Sequence, residues 1–176
     1  MRYPASNRAI FQNAWIVDDL EAACQTWTQQ LGVGPFFINQ YELETFDRVT
    51  YYGAPSDISM RIAISQAGPL QIELIQPLSE RNAYRDIVPE GQGQTFHHVC
   101  SWTDDFEAEL KYFESAGYPI INTGQSHSVS FAYIDTRPVL GSLLEIVTKT
   151  SAIQARFDFI AQAASSWQGD EPLRYS

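Results

Sequence analysis

The chain has 176 residues, 44% of them hydrophobic and 18% charged, enough for one compact core or two small fused modules. Its 11 Lys and Arg stand against 21 Asp and Glu, and the formal charge of −10 argues against nucleic acid or an anionic membrane surface as the main partner. No apolar run reaches the ~20 residues of a membrane helix, the start MRYPASNRAIF lacks a signal-peptide core, and two cysteines make no disulfide framework. Cys24 and Cys100 read as small buried apolar side chains, and a cytoplasmic protein is expected.

Residues 1–8 read as a loose N-terminal arm. AIFQNAWIV (9–17) is β-branched and aromatic enough for a buried strand. Asp18 or Asp19 then caps a helix whose apolar face is Leu20, Ala23, Trp27 and Leu31, stopped by Gly32. PFFINQYEL, DRVTYYG, SMRIAIS and LQIELIQP follow as strands, ending a first module at residue 77. Residues 78–95 are a connector whose Gly-Gln-Gly-Gln end has no periodicity and is expected to be exposed.

The second module, 96–148, repeats the scheme: a strand over 96–102, a cap at Asp104 or Asp105, and a helix with Phe106, Leu110 and Phe113 on one face. Gly117 ends it, and strands are expected over 118–121, 128–134 and 141–147. Ile153, Phe157, Ile160 and Ala164 mark a terminal amphipathic helix within a C-terminal segment of helix and tail, 149–176. The tail itself reads as an extended strap.

QNAWIVDDL (12–20) and HHVCSWTDDF (97–106) are two copies of one pattern, and an offset of 86 carries Gln12 onto His98 and Leu20 onto Phe106. Two βαβββ halves cannot each bury their own sheet, so an α+β fold is expected in which they pair into one cupped, barrel-like mixed sheet with helices outside. Strand alternation sends Gln12, Ala14 and Ile16 to one face. It does the same for Gln71, Glu73 and Ile75, for His98, Cys100 and Trp102, and for Leu143, Glu145 and Val147. Glu73 and Glu145 each sit inside an apolar strand, where a buried carboxylate is costly without a cation or a metal. His97 is expected on the opposite face from His98, as a structural residue.

With its repeated His- or Gln-led openings and its ELIQP and LEIV closings, the chain resembles the vicinal oxygen chelate superfamily over about residues 9–148. That superfamily includes glyoxalase I, methylmalonyl-CoA epimerase, extradiol dioxygenases and bleomycin-resistance proteins. The resemblance implies one metal site in the cup, with Gln12 and His98 as opening-strand ligands and Glu73 and Glu145 as closing-strand ligands. Gln12 stands where many members have His, and the set Gln, Glu, His, Glu is similar to that of human-type glyoxalase I. The closing pair is offset by 72 residues rather than 86, so the first half carries 14 extra, and the aromatic stretch from Glu44 to Asp57 accounts for them.

Three oxygens and one imidazole suit one divalent ion per site, Zn, Ni, Co, Mn or Mg. The implied activity is a metal-dependent lyase or an isomerase or epimerase that polarises a carbonyl and moves a proton at the adjacent carbon. Glu145 is the expected base, with Glu73 second. A further acid of the epimerase kind has only Asp57 near it. Trp102, Phe37, Tyr52 and His127 are the expected substrate wall, suited to a bulky apolar or aromatic small molecule. Arg48, Arg61 and Arg137 are scattered and form no cluster for glutathione or coenzyme A. Two other readings stay open: a metal-free, drug-sequestering binding protein, and an extradiol dioxygenase, which Gln12 disfavours. A homodimer is expected, with the apolar terminal helix as contact.

Overall fold

A computed structural model describes residues 8–80 and 82–175. Residues 1–7, most of the expected arm, lie outside it. The elements are β1 Ile10–Ile16, α1 Leu20–Leu31, β2 Phe36–Tyr41, a 3-10 turn Leu43–Thr45, β3 Arg48–Tyr51, β4 Ala54–Pro55, β5 Met60–Ala67 and β6 Leu70–Pro77. They continue with β7 Thr95–Thr103, α2 Phe106–Ser115, β8 Ile120–Gln125, β9 Ser130–Ile134, α3 Arg137–Leu140, β10 Leu143–Thr148, α4 Ser151–Ser165 and β11 Leu173–Tyr175.

The helices start and stop where short polar side chains and glycine dictate. Asp19 and Asp105 accept from the amides of Ala22 and Ala108, so in each half the second aspartate of the pair is the cap. Gly32 closes α1 at φ +66°, a left-handed conformation that favours glycine. β8 begins two residues later than expected. Tyr118 still spends its amide on the Phe113 carbonyl at the end of α2, and Pro119 has no amide to offer a neighbouring strand.

All eleven strands form one curved, unclosed sheet in the order β11-β2-β5-β6-β1-β7-β10-β9-β8-β3-β4. The four strands β2-β5-β6-β1 come from the first half and β7-β10-β9-β8 from the second, joined where β1 and β7 run antiparallel. Along that seam Gln12 faces Cys100 and Ala14 faces His98. The 86-residue repeat exchanges these two pairs, so a pseudo-twofold axis passes through the pair Asn13 and Val99. The closing strands obey the same symmetry: Ala14 pairs with Glu73 in one half, Cys100 with Glu145 in the other.

Alternation sorts the core into three clusters. Ala14, Ile16, Ile75, Cys100, Leu143 and Val147 pack inside the cup. Val17, Leu20, Ile72 and Leu74 pack between the sheet and α1, and Leu144 and Ile146 pack on the side of Phe106, Leu110 and Phe113 of α2. The extra residues of the first half leave their own half of the sheet. β3 pairs antiparallel with β8, the outermost strand of the second half. Between Tyr41 and Arg48 the chain can reach at most ~25 Å, so the two edges of the sheet curl toward each other over the cup.

Two sequence expectations are corrected here. Arg8 is not part of a loose arm: its guanidinium is bonded to the buried Glu109 and to Ser101. The apolar face of α4 is not free for a partner either. Ala152, Ile153, Arg156 and Phe157 turn into the cup, α4 packs on β5, and Ile160 is fully buried. The strap beyond it ends as β11, paired parallel to β2, while the Trp167 ring sits where a Cβ on Gly34 would be. No helix among the described residues is long and apolar enough to cross a membrane.

Candidate metal centre

Inside the cup is a cavity of about 340 Å³. Gln12, Glu73 and Glu145 line it, with Tyr84, Cys100 and Tyr133 beside them and an apolar wall that includes Phe46, Ile62, Phe131, Ile153 and Phe157. One donor atom from each of Glu73, His98 and Glu145 lies within 4.8 Å of the other two. His98 Nε2 is 3.1 Å from Glu145 Oε2 and 3.5 Å from Glu73 Oε2. Yet this nitrogen, wholly buried, has no partner at hydrogen-bonding geometry. Donor atoms ~2.1 Å from a common ion stand about 3 to 4 Å apart. An imidazole nitrogen aimed between two carboxylates without a well-aligned hydrogen bond therefore fits a divalent ion. The Gln12 amide nitrogen donates to Gln71 Oε1 at 2.7 Å, which leaves its carbonyl oxygen as the donor of ligand type.

His97 is the main departure from strict alternation. Ala14 pairs with His98 but Trp15 pairs with Phe96, so β7 carries one extra residue at this point, a β-bulge. The bulge brings His97 behind His98, on the same buried side. Its Nε2 lies 3.2 Å from the Ala83 carbonyl, and its Nδ1 lies 2.9 Å from His98 Nδ1. A carbonyl only accepts, so His97 carries its proton on Nε2. Burial, reinforced by the neighbouring His98 charge, lowers the His97 pKa to about 3, so its Nδ1 is bare and accepts. His98 then donates from Nδ1, and its Nε2 is the nitrogen that faces the carboxylates. Such a chain fixes the tautomer and plane of a ligating imidazole.

The electrostatics follow from burial and charge. Desolvation alone would push His98 down, but the Glu145 and Glu73 carboxylates close to its Nε2 favour the charged ring and raise it to about 9. Burial raises Glu73, with His98 opposing and Glu145 adding repulsion. Burial also raises Tyr84 and Tyr133, whose hydroxyls lie 3.1 Å apart, so both stay protonated as donors. Cys100 is raised well above the ordinary thiol range by burial and by Glu145, which makes it no nucleophile.

A family model described as the Glyoxalase/Bleomycin resistance protein/Dioxygenase superfamily matches residues 11–133. The chain belongs to that superfamily. Glu145 lies beyond the matched segment and takes its position from the register of β10 on β7. No curated protein matches the chain in sequence. Among solved structures, a hypothetical protein from Bacillus halodurans is similar at 17% identity and a TM-score of 0.60, covering 83% of this chain and 97% of that one. Methylmalonyl-CoA epimerase from Mycobacterium tuberculosis is similar at 16% identity and 0.57, covering 83% and 91%. A methylmalonyl-CoA epimerase in complex with methylmalonyl-CoA and NH4+ is similar at 17% and 0.54, covering 83% and 97%. At such identities the likeness is one of fold.

The expected substrate wall lies elsewhere than expected. Trp102 is four residues, about 13 Å, along the strand from His98 and stacks behind Phe11 at 4.3 Å, a layer away from the cavity. Phe37 meets Phe159 of α4 and the Arg174 guanidinium at the outer rim. Tyr52 occupies the exposed turn after β3 at φ +47°. His127 is exposed at the β8–β9 turn, although Ser126 and Ser128 on either side of it do line the cavity. Asp57 is also exposed, so among the described residues Glu73 and Glu145 are the carboxylates of the cavity. Tyr133 and Tyr84 were not foreseen as site residues. Tyr133 had a signal, since it pairs directly with Glu145 and shares its face. Tyr84 sits in the connector, where no periodicity points inward.

Proposed function

We propose that this chain is a metal-dependent enzyme of the isomerase or epimerase type, or a lyase of the glyoxalase type, acting next to a carbonyl of an apolar or aromatic small molecule. The observation that carries this reading is the convergence of Glu73, His98 and Glu145 from symmetric places in the two halves onto one cavity. His98 Nε2, a carboxylate oxygen from each of Glu73 and Glu145, and the Gln12 carbonyl oxygen would hold the ion, one of Zn, Ni, Co, Mn or Mg. Bound there, it would polarise the substrate carbonyl and stabilise developing negative charge. Glu145 removes the proton from the adjacent carbon and Glu73, its symmetry mate, serves as the second acid–base group. In the Tyr84–Tyr133 hydroxyl pair one O–H donates to the other, which leaves a single O–H to donate to a substrate oxygen, and the apolar wall excludes water. Gln12, where an extradiol dioxygenase needs a second histidine, disfavours iron–oxygen chemistry.

The test starts from protein stripped with a chelator. Adding each of the five ions at about 100 times its Kd should stabilise the fold by about 2.7 kcal/mol, a rise of roughly 5–10 °C in Tm. The reloaded protein should catalyse exchange of the carbon-bound proton with deuterium in a panel of apolar carbonyl compounds, and the chelated form should not. Stoichiometric ion absent after dialysis, with ligand binding indifferent to chelator, would assign the cup to a metal-free binding protein.

His97 supplies a second prediction. His97→Phe removes the acceptor of the His98 Nδ1 proton and should weaken zinc binding by about 10- to 100-fold in chelator competition. His97→Gln, whose side-chain carbonyl can accept the same proton, should recover much of that loss. Equal zinc affinity in all three proteins would reduce His97 to a packing residue.

A further inference from the structure

α4 breaks its own pattern at one position. Ile153, Phe157 and Ile160 make its inward face, and Arg156 lies among them rather than with the exposed Gln154 and Asp158. Arg156 lines the cavity and is half-buried. Arg61, which the sequence left scattered, is held by Glu21, Arg85 by Asp18, and Arg137 by Asp135. Arg156 has no carboxylate partner among the described residues, and it is the one Lys or Arg among those that line the cavity. Its guanidinium lies beside the Tyr41 hydroxyl, a neutral group that itself lines the cavity.

A half-buried guanidinium set in an apolar wall gives up part of its hydration, which one phenol does not fully replace. Long cationic side chains on a helix ordinarily run outward to keep the head in solvent. Where a local rule fails without a compensating partner inside the fold, the partner is sought outside it. The cavity lining thus carries charged side chains at two places, the carboxylates Glu73 and Glu145 and Arg156 on α4, with Phe46, Ile62, Phe131 and Ile153 among the residues around them.

We infer that Arg156 is a specificity-determining residue that binds the anionic group of the substrate, which is a compact aryl or alkyl keto acid whose carboxylate lies remote from its reacting carbonyl. This rests on the proposed reaction only for the carbonyl end; the anion end stands on the cavity itself. A planar guanidinium offers paired N–H donors that match a carboxylate, and Tyr41 adds a neighbouring hydroxyl. A single cation recognises a single anionic group, and the cavity holds no cluster for a polyphosphate carrier.

Calorimetry on chelator-treated protein tests the inference apart from any metal, with 4-phenylbutyrate and its uncharged isostere 4-phenylbutyramide as probes. Wild type should prefer the acid by tenfold or more. Arg156→Gln should lose that preference while binding the amide as before, and Arg156→Lys should retain part of it. An acid-to-amide ratio unchanged in Arg156→Gln, or no preference in wild type, overturns the assignment. Deuterium exchange failing while the acid preference holds would sink the proposed reaction and leave Arg156 in place.

Discussion

Glu145→Gln is expected to slow proton exchange next to the carbonyl by about 10²- to 10⁴-fold, equivalent to about 3–5 kcal/mol of barrier. The substitution keeps size and a carbonyl oxygen in the same place, so the ion retains a donor while the base is lost. Glu145 is held on both sides by register, Cys100 on β7 and Tyr133 on β9, and the variant should fold. A rate within twofold of wild type, on protein with its full complement of metal, would remove Glu145 from the chemistry. The same variant has a metal-free signature. The folded pKa of His98, about 9, lies above its ordinary 6.5, so its contribution to stability is present below 6.5 and is lost as pH rises through 9. Glu145 is a main cause of that elevation. Chelated wild type should therefore lose stability across this window, and Glu145→Gln should flatten the loss.

The second large effect is far from the site. Arg8→Ala should destabilise the fold by about 3–5 kcal/mol, because it leaves the Glu109 carboxylate buried without its cation. The Glu109 side chain is 2% exposed, and Arg8 covers it while also bonding Ser101 and lying 5.9 Å above the Phe113 ring. At about 2–4 °C per kcal/mol, thermal unfolding should shift down by roughly 6–20 °C. Arg8→Ala combined with Glu109→Gln should regain most of the loss, since the stranded charge is gone. A single variant within 1 kcal/mol of wild type, read by denaturant unfolding, would show that Glu109 finds water or another partner.

The features legible in the sequence are those that repeat with a fixed period. Glu73 and Glu145 stand out because a strand turns each second side chain to the same face, and both interrupt apolar runs at matching places. The duplicated Asp pair announced both helix starts, and the repeat itself, two halves unable to bury their sheets alone, implied that they pair. His97 was misread because the bulge adds one residue to β7 and shifts everything before it by one face. Phe37 and Trp102 were misplaced for another reason: alternation tells which face a ring shares, not how far along the strand the cavity extends. Tyr52 falls in the turn beyond β3, where alternation no longer applies. Tyr84 and the β3–β8 pairing left no local trace, since a non-repeating connector and a contact between distant strands are decided only by tertiary packing.

The pairing of β3 with β8 has a consequence for how the molecule is made. Thr50 and Thr123 join hydroxyls across this contact, 73 residues apart in the chain. As the polypeptide leaves the ribosome, the β3–β4 hairpin emerges long before the edge that receives it, and must wait, unpaired, for the second half to be synthesised. The first half is thus not a self-sufficient folding unit, and a gene cut at the connector would yield two fragments of which the earlier carries an open hydrogen-bonding edge prone to self-association.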